Sequence, residues 1–232
     1  MMPDEVNKKE CLVRIMILNK IYIFSGLGVD KRVFDKIDFG NLNVEFVDWI
    51  IPVKNETLKD YAKRISLSLT AENPSLIGLS FGGILAVEIS KLLKYEKVIL
   101  IASAKSKNEL PWIYQMSGKI KINKLLPVSV FKLHNFITDW FFGVEKASEK
   151  QMLKNILKDT NSVFLKWAIN EIVNWKNMVV PENCIHIHGN KDRVIPLKNI
   201  KADYILEGGG HFMTVNKSKE IEIIIREICE KD

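Results

Sequence analysis

The chain has 232 residues, 47% of them hydrophobic, and a formal net charge of +6. That length suffices for one large domain, or a core with a sizeable insertion, and the composition excludes a disordered or collagen-like chain. No run reaches the roughly 18 uninterrupted apolar residues of a membrane span, and there is no internal repeat.

Near the N-terminus, "CLVRIMILNKIYIF" is interrupted by Arg14, Asn19 and Lys20, with no small-residue cleavage site after it, so neither signal peptide nor anchor is expected. "KIYIFSGLG" is a β-branched and aromatic run stopped by glycines, which predicts a buried strand ending in a tight turn near Ser25. "LNVEFVDW" is a second strand, ended by Pro52. "TLKDYAKRISLSL" places Leu58, Tyr61, Ile65 and Leu69 at helical spacing behind a Thr57 cap. "SLIGL" is a third strand, residues 81–93 a helix, and "EKVILIAS", "CIHIHG" and "ADYILEGGG" three further strands. Lys217 to Cys229 is an amphipathic helix. Strands alternating with helices predict an α/β fold with a mostly parallel, doubly wound sheet covered on both faces.

Residues 103–178 differ from this pattern and read as about four helices punctuated by Pro111, Pro127 and Gly143. They hold Trp112, Trp140, Trp167 and Trp175, and twelve lysines against six acids, a net +6 equal to that of the whole chain. The division expected is a core of residues 1–102 and 179–232 and a helical insert at 103–178. The basic charge is all lysine and confined to the insert, which argues against nucleic-acid binding. Cys11, Cys184 and Cys229, at unrelated spacings, argue for a reducing compartment (the cytoplasm) and against a disulfide framework or a zinc site.

In "IGLSFGGILAVEI", Ser80 stands between Gly78 and Gly82 where a strand becomes a helix. A serine in a G-x-S-x-G turn of this kind is strained onto a sharp elbow with its hydroxyl exposed; the alternative is a structural serine in a turn. A serine hydroxyl needs a base, and the base an orienting acid. Of four histidines, His186 and His188 share one face of a strand, and His134 sits in the insert as a helix-surface or packing residue, with the lining of a pocket as the alternative. His211 follows Gly208-Gly209-Gly210 in a loop free to swing an imidazole over the sheet edge, or merely ends an exposed turn. "HGNKDRVIP" offers Asp192 as the acid, with a plain turn aspartate as the alternative. The loop after the fourth strand has no carboxylate before Glu109.

Ser80, Asp192 and His211, each after a strand and in the order nucleophile, acid, histidine, resemble the α/β-hydrolase fold superfamily over nearly the whole chain. The resemblance implies a serine hydrolase cleaving a carboxylic ester or thioester through an acyl-enzyme, without metal or organic cofactor. It also implies an oxyanion hole from the backbone N–H groups of Leu27 and Phe81. Many relatives have His-Gly where this chain has Ser25-Gly26, and the short N-terminus reduces the usual antiparallel edge to one strand near Cys11–Leu18 or removes it. The insert falls where that family carries its lid and looks like the cap of small carboxylesterases, including those acting on carrier-bound acyl groups. Trp112, Phe131, Phe136, Trp140, Phe141 and Phe142 are the candidates to wall an acyl pocket. The lysines point to an anionic substrate or one borne on an acidic carrier protein. Acyl transfer, or ligand binding with little turnover, are the alternative functions on the same fold.

Overall fold

The computed structural model describes residues 20–119 and 128–230. Its strands are β1 (Ile21–Phe24), β2 (Val44–Val47), β3 (Ser75–Leu79), β4 (Val98–Ile101), β5 (Cys184–Gly189) and β6 (Tyr204–Leu206). They form one sheet in the order β2-β1-β3-β4-β5-β6, and every described pairing is parallel. Each expected strand is present, apart from the edge strand near Cys11–Leu18, which lies outside the described residues.

Parallel strands buried on both faces carry apolar residues at every position, and β1, β3 and β4 are buried throughout. Alternation then divides them between two cores. Ile21, Ile23, Ile77, Leu79, Ile99 and Ile101 face one, with Ile221, Ile225 and Ile228 of α9 (Ser218–Glu230) packed against them. Tyr22, Phe24, Leu76, Val98 and Leu100 face the other, covered by α1 (Leu58–Ser66) and α2 (Phe81–Ile89). Thr57 caps α1 as expected, its Oγ1 accepting from Asp60 N at 3.2 Å. Helix α2 is buried along its whole length, because strand and helix meet almost backbone to backbone.

Between β4 and β5 lie α3 (Trp112–Lys119), α4 (Val128–Phe131), α5 (Phe136–Phe142), α6 (Ala147–Asp159) and α7 (Ser162–Asn174). That is five described helices where about four are expected; the extra one is the single turn α4. The insert shares both cores rather than owning one: Leu153 and Ile156 of α6 join the first, Phe164 and Ala168 of α7 the second. Polar contacts fix α7 in place, with Trp175 Nε1 donating to Glu88 Oε1 at 2.7 Å in a buried bond and Leu58 N to Glu171 Oε2 at 2.9 Å in a half-buried one. A last short helix, α8 (Met213–Asn216), leads into α9.

A Cβ on Gly82 would strike the carbonyl oxygens of Phe24 and Ser25, and one on Gly78 would strike the Gly83 backbone. No flexible side chain is there to yield. Overpacking of this kind costs about 1–3 kcal/mol or more, so Gly82→Ala is expected to lower the melting temperature by about 5–10 °C in a chain of this size. An unchanged melt by circular dichroism would mean that the elbow has room it does not show.

Candidate active site

Serine is a favoured N-cap because its oxygen normally accepts from the first turn of the helix. Ser80, which precedes α2, does not do so: its backbone stands at φ 51, ψ −119 and its side chain makes no capping bond. That conformation is disfavoured for a residue with a Cβ. It is held by Ser80 N donating to Ile101 O at 2.9 Å and by Ser103 Oγ donating to Ser80 O at 2.6 Å.

The hydroxyl so released stands 2.8 Å from His211 Nε2, and His211 Nδ1 stands 2.8 Å from Asp192 Oδ2. Because a carboxylate only accepts, Nδ1 carries the proton and Nε2 is left to receive from Ser80 Oγ. The other carboxylate oxygen, Oδ1, accepts from Val194 N and Ile195 N at 2.8 and 2.9 Å. Burial pushes the Asp192 pKa up, but the neighbouring His211, with its charge and hydrogen bond, then His188 and the Ile195 N–H, more than offset it. The net is below the usual carboxylate value. Thus Ser80, His211 and Asp192, expected from sequence, come together in one hydrogen-bonded line. Leu27 and Ser80 also border one cavity, and neither Leu27 N–H nor Phe81 N–H donates to any acceptor among the described residues.

Three contacts that sequence reasoning missed hold the loops around this line. Thr160 Oγ1, at the C-terminal end of α6, shares its proton between Gly28 O at 2.7 Å, beside Leu27, and Ile156 O at 2.8 Å. Phe212 N donates to Phe142 O at 2.9 Å, tying the histidine loop to α5. Arg193 Nη1 donates to Trp140 O at 2.7 Å, tying the acid loop to the same helix. Each joins residues remote in sequence, so no local pattern signals it.

The cavity, of about 300 Å³, reaches from Ser80 and His211 into the insert between Phe81, Ile84, Tyr114, Phe142, Leu157 and the inner face of α7. That face is Leu165, Ile169, Ile172 and Val173, a legible i, i+4, i+7, i+8 stripe. Tyr114 is polar but neutral: burial pushes its phenol up to about 12, and its hydroxyl donates to Val194 O at 2.8 Å. The expected aromatic wall needs correction. Phe142 is in it, edge-on to His211 with ring centres 5.7 Å apart, but Trp112, Phe136, Trp140 and Phe141 are exposed and outside it. Aliphatic residues of α7 fill the space those rings were expected to take. The Phe131 side chain lies outside the described residues. His134 is also away from the line, its Nε2 2.8 Å from Asp139 Oδ1 within the insert.

Beneath the acid lie two fully buried histidines. His188 Nε2 stands 2.8 Å from the carbonyl of Ile195, an acceptor, so Nε2 bears the proton. His188 Nδ1 is then bare and faces His186 Nε2 at 3.2 Å, which donates. Burial drives the His186 pKa down to about 2, helped by His188 and Lys105, and lowers that of His188. A histidine kept neutral in the fold but free to protonate when unfolded stabilises the fold fully only above its unfolded pKa, and loses that contribution as pH falls below it. Between pH 7 and 5 the loss is about 2 kcal/mol for His186. His186→Gln should therefore show a shallower fall in urea-unfolding free energy over this interval than the parent. Parallel curves would place His186 in water.

No protein-family model and no curated protein matches the sequence. Solved structures do match. A hydrolase from Oleispira antarctica is 13% identical with a TM-score of 0.67, covering 92% of each chain. A lipase-esterase related protein from Clostridium acetobutylicum is 14% identical with a TM-score of 0.67, over 90% of this chain and 94% of its own. A thermophilic esterase from Thermogutta terrifontis is 14% identical with a TM-score of 0.66, over 92% and 90%. At such identities the likeness speaks for the backbone: this chain has the α/β-hydrolase fold.

Proposed function

We propose that the protein is a serine hydrolase that cleaves a carboxylic ester or thioester with an apolar acyl group. The observation that carries the reading is the unbroken line Ser80 Oγ–His211–Asp192, with both contacts at 2.8 Å. His211 Nε2 takes the Ser80 proton as Oγ attacks the acyl carbon, and Asp192 keeps Nδ1 protonated and stabilises the imidazolium. The oxyanion is received by Leu27 and Phe81 N–H, whose lack of other partners among the described residues supports that role. His211 then gives its proton to the departing alkoxide or thiolate. Water, activated by the same nitrogen, hydrolyses the acyl-enzyme and restores Ser80.

The acyl group is inferred from the cavity. Apart from Ser80, His211 and the capped Tyr114 hydroxyl, the described lining is apolar, with no lysine, arginine or carboxylate. A substrate that is anionic or borne on an acidic carrier would keep its charge outside, near the lysines of the insert. Each methylene buried contributes about 0.8 kcal/mol. For nitrophenyl esters, kcat/KM should therefore rise by about fourfold per added carbon until the 300 Å³ cavity is full, then fall. A flat series would reject the acyl assignment.

Ser80→Ala should abolish covalent labelling by a fluorophosphonate and lower kcat by several orders of magnitude with folding intact; near-parental turnover would end the proposal. Thr160 acts one step away, as a positioning residue for the Leu27 turn. Thr160→Val should lower kcat about tenfold, the worth of one lost hydrogen bond, with KM nearly unchanged. A change in KM alone would assign Thr160 to substrate binding.

A further inference from the structure

The cavity beside Ser80 has a direction. Helices α2 and α7 lie side by side and run the same way. At their starts the rings of Phe81 and Phe164 are 6.1 Å apart, and at their ends Trp175 Nε1 bonds Glu88 Oε1 at 2.7 Å. Ser80 precedes α2, so the start of α7 stands beside that serine and its end stands farthest away. Thr160, just before α7, also bonds the turn next to Leu27. The lining residues of α7 are therefore graded by depth: Leu165 at the serine, Ile169 midway, Ile172 and Val173 at the far end. A helix rises about 1.5 Å per residue, which puts Val173 about 12 Å beyond Leu165.

The far end is shut. Helix α3 crosses α7 there almost backbone to backbone, since a Cβ on Gly118 would strike Val173 O. Behind Val173, Trp175 is buried and its indole N–H is taken by Glu88. Leu110 and Ile84, both buried, complete the end wall. Tyr114, one turn before Gly118, closes the flank, with its hydroxyl donated to Val194 O at 2.8 Å. None of Ile84, Leu110, Ile172 and Val173 offers a polar side-chain atom to whatever reaches this end.

Depth and closure together measure a chain. A C–C bond of about 1.5 Å advances an extended chain by about 1.25 Å, so about 12 Å holds a straight chain of roughly eight to ten carbons. The tip must be apolar, because a carboxylate there would be buried without a partner.

We propose that Val173 and Ile172, with Leu110, set acyl-chain length. The group they select is a straight, methyl-ended acyl chain of medium length, whose tip rests against them. This rests on the hydrolase reading and adds to it which acyl groups are taken and which residues decide.

The test is kcat/KM of the full chain for nitrophenyl esters of straight acids from acetate to palmitate. The optimum is expected at octanoate or decanoate. Val173→Phe fills the far end and should shift the optimum to shorter acids. Because each methylene left outside costs about fourfold, the ratio of decanoate to butyrate rates should fall at least tenfold. Val173→Ala should shift the optimum the other way. The nitrophenyl half-ester of suberate, which is octanoate with a carboxylate at its tip, should react at least a hundredfold more slowly than octanoate. An optimum that stays in place in both Val173 variants, or a suberate half-ester cleaved as well as octanoate, would overturn the proposal. So would a series of acetate esters in which Val173→Phe changes the preferred alcohol length, because the cavity would then hold the leaving group.

Calorimetric binding of straight alkan-1-ols, from butanol to dodecanol, to Ser80→Ala reads the same depth without turnover. Affinity should climb about fourfold per methylene, level off near octanol or decanol, and level off sooner in Ser80→Ala/Val173→Phe. The same break in both proteins, or none, would also overturn the proposal. If the break moves as expected but the parent hydrolyses no ester, the chain-length assignment stands and the hydrolase reading alone falls.

Discussion

Everything at the candidate site depends on the approach of β3 and α2 to the turn after β1. At Gly82 the helix backbone touches the carbonyls of Phe24 and Ser25, and at Gly78 the strand touches the helix. Contact at that range leaves no room for a relaxed junction, so the residue between them takes the φ of 51 seen at Ser80. One constraint therefore produces two features together. It strains a serine so that its hydroxyl leaves the helix cap, and it brings Leu27 and Phe81 to the same cavity as that serine. Stability is given up locally, as is usual where sites store strain, and is regained in two sheet faces whose core residues are almost completely buried.

The insert is part of this constraint and more than a cover. Helix α5 fastens the loops of Asp192 and His211 through Arg193 and Phe212, and Asn216 Nδ2 adds a bond to Gly143 O at 3.0 Å. The end of α6 fastens the turn after β1 through Thr160. Helix α7 supplies the cavity's aliphatic wall and is bound to α1 and α2 by polar contacts. A rigid-body opening of the whole insert would break all of these and pull both apolar cores apart. Substrate access by movement of the insert as one piece is therefore inconsistent with the packing.

What could be read in the sequence follows from the range of the physics behind it. Strands β1, β3 and β4 declare themselves as short apolar runs ended by turn residues, and α1 by its spacing and its Thr57 cap. The elbow is legible because its cause, glycines on both sides of Ser80, is local. His211 and Asp192 are legible because each follows a strand in a glycine-rich or turn-forming loop. The cavity wall is less legible: the α7 stripe of Leu165, Ile169, Ile172 and Val173 lines it, with Phe142 alone of the expected rings whose side chains are described. Trp112, Phe136, Trp140 and Phe141 have the composition of a core and the exposure of a surface, and periodicity cannot say which side of a short helix meets solvent. Thr160 and Ser103 act through single hydrogen bonds to backbone carbonyls distant in the chain, for which sequence offers no signal.

The tautomer of His211 is supported from below the site. The carbonyl of Ile195 can only accept, so His188 must hold its proton on Nε2, and burial keeps both His188 and His186 uncharged. His188 Nε2 lies 3.5 Å from Oδ2 and helps hold the Asp192 pKa down, but His211 is nearer and has the larger effect. Asp192 therefore keeps one strong partner among side chains, His211, while Val194 and Ile195 N–H hold its other oxygen. The carboxylate's orientation fixes the His211 tautomer, and the tautomer presents a bare Nε2 to Ser80. Two buried histidines, both shifted toward their neutral form, thus stand beneath the one that, on the proposed reading, must accept a proton.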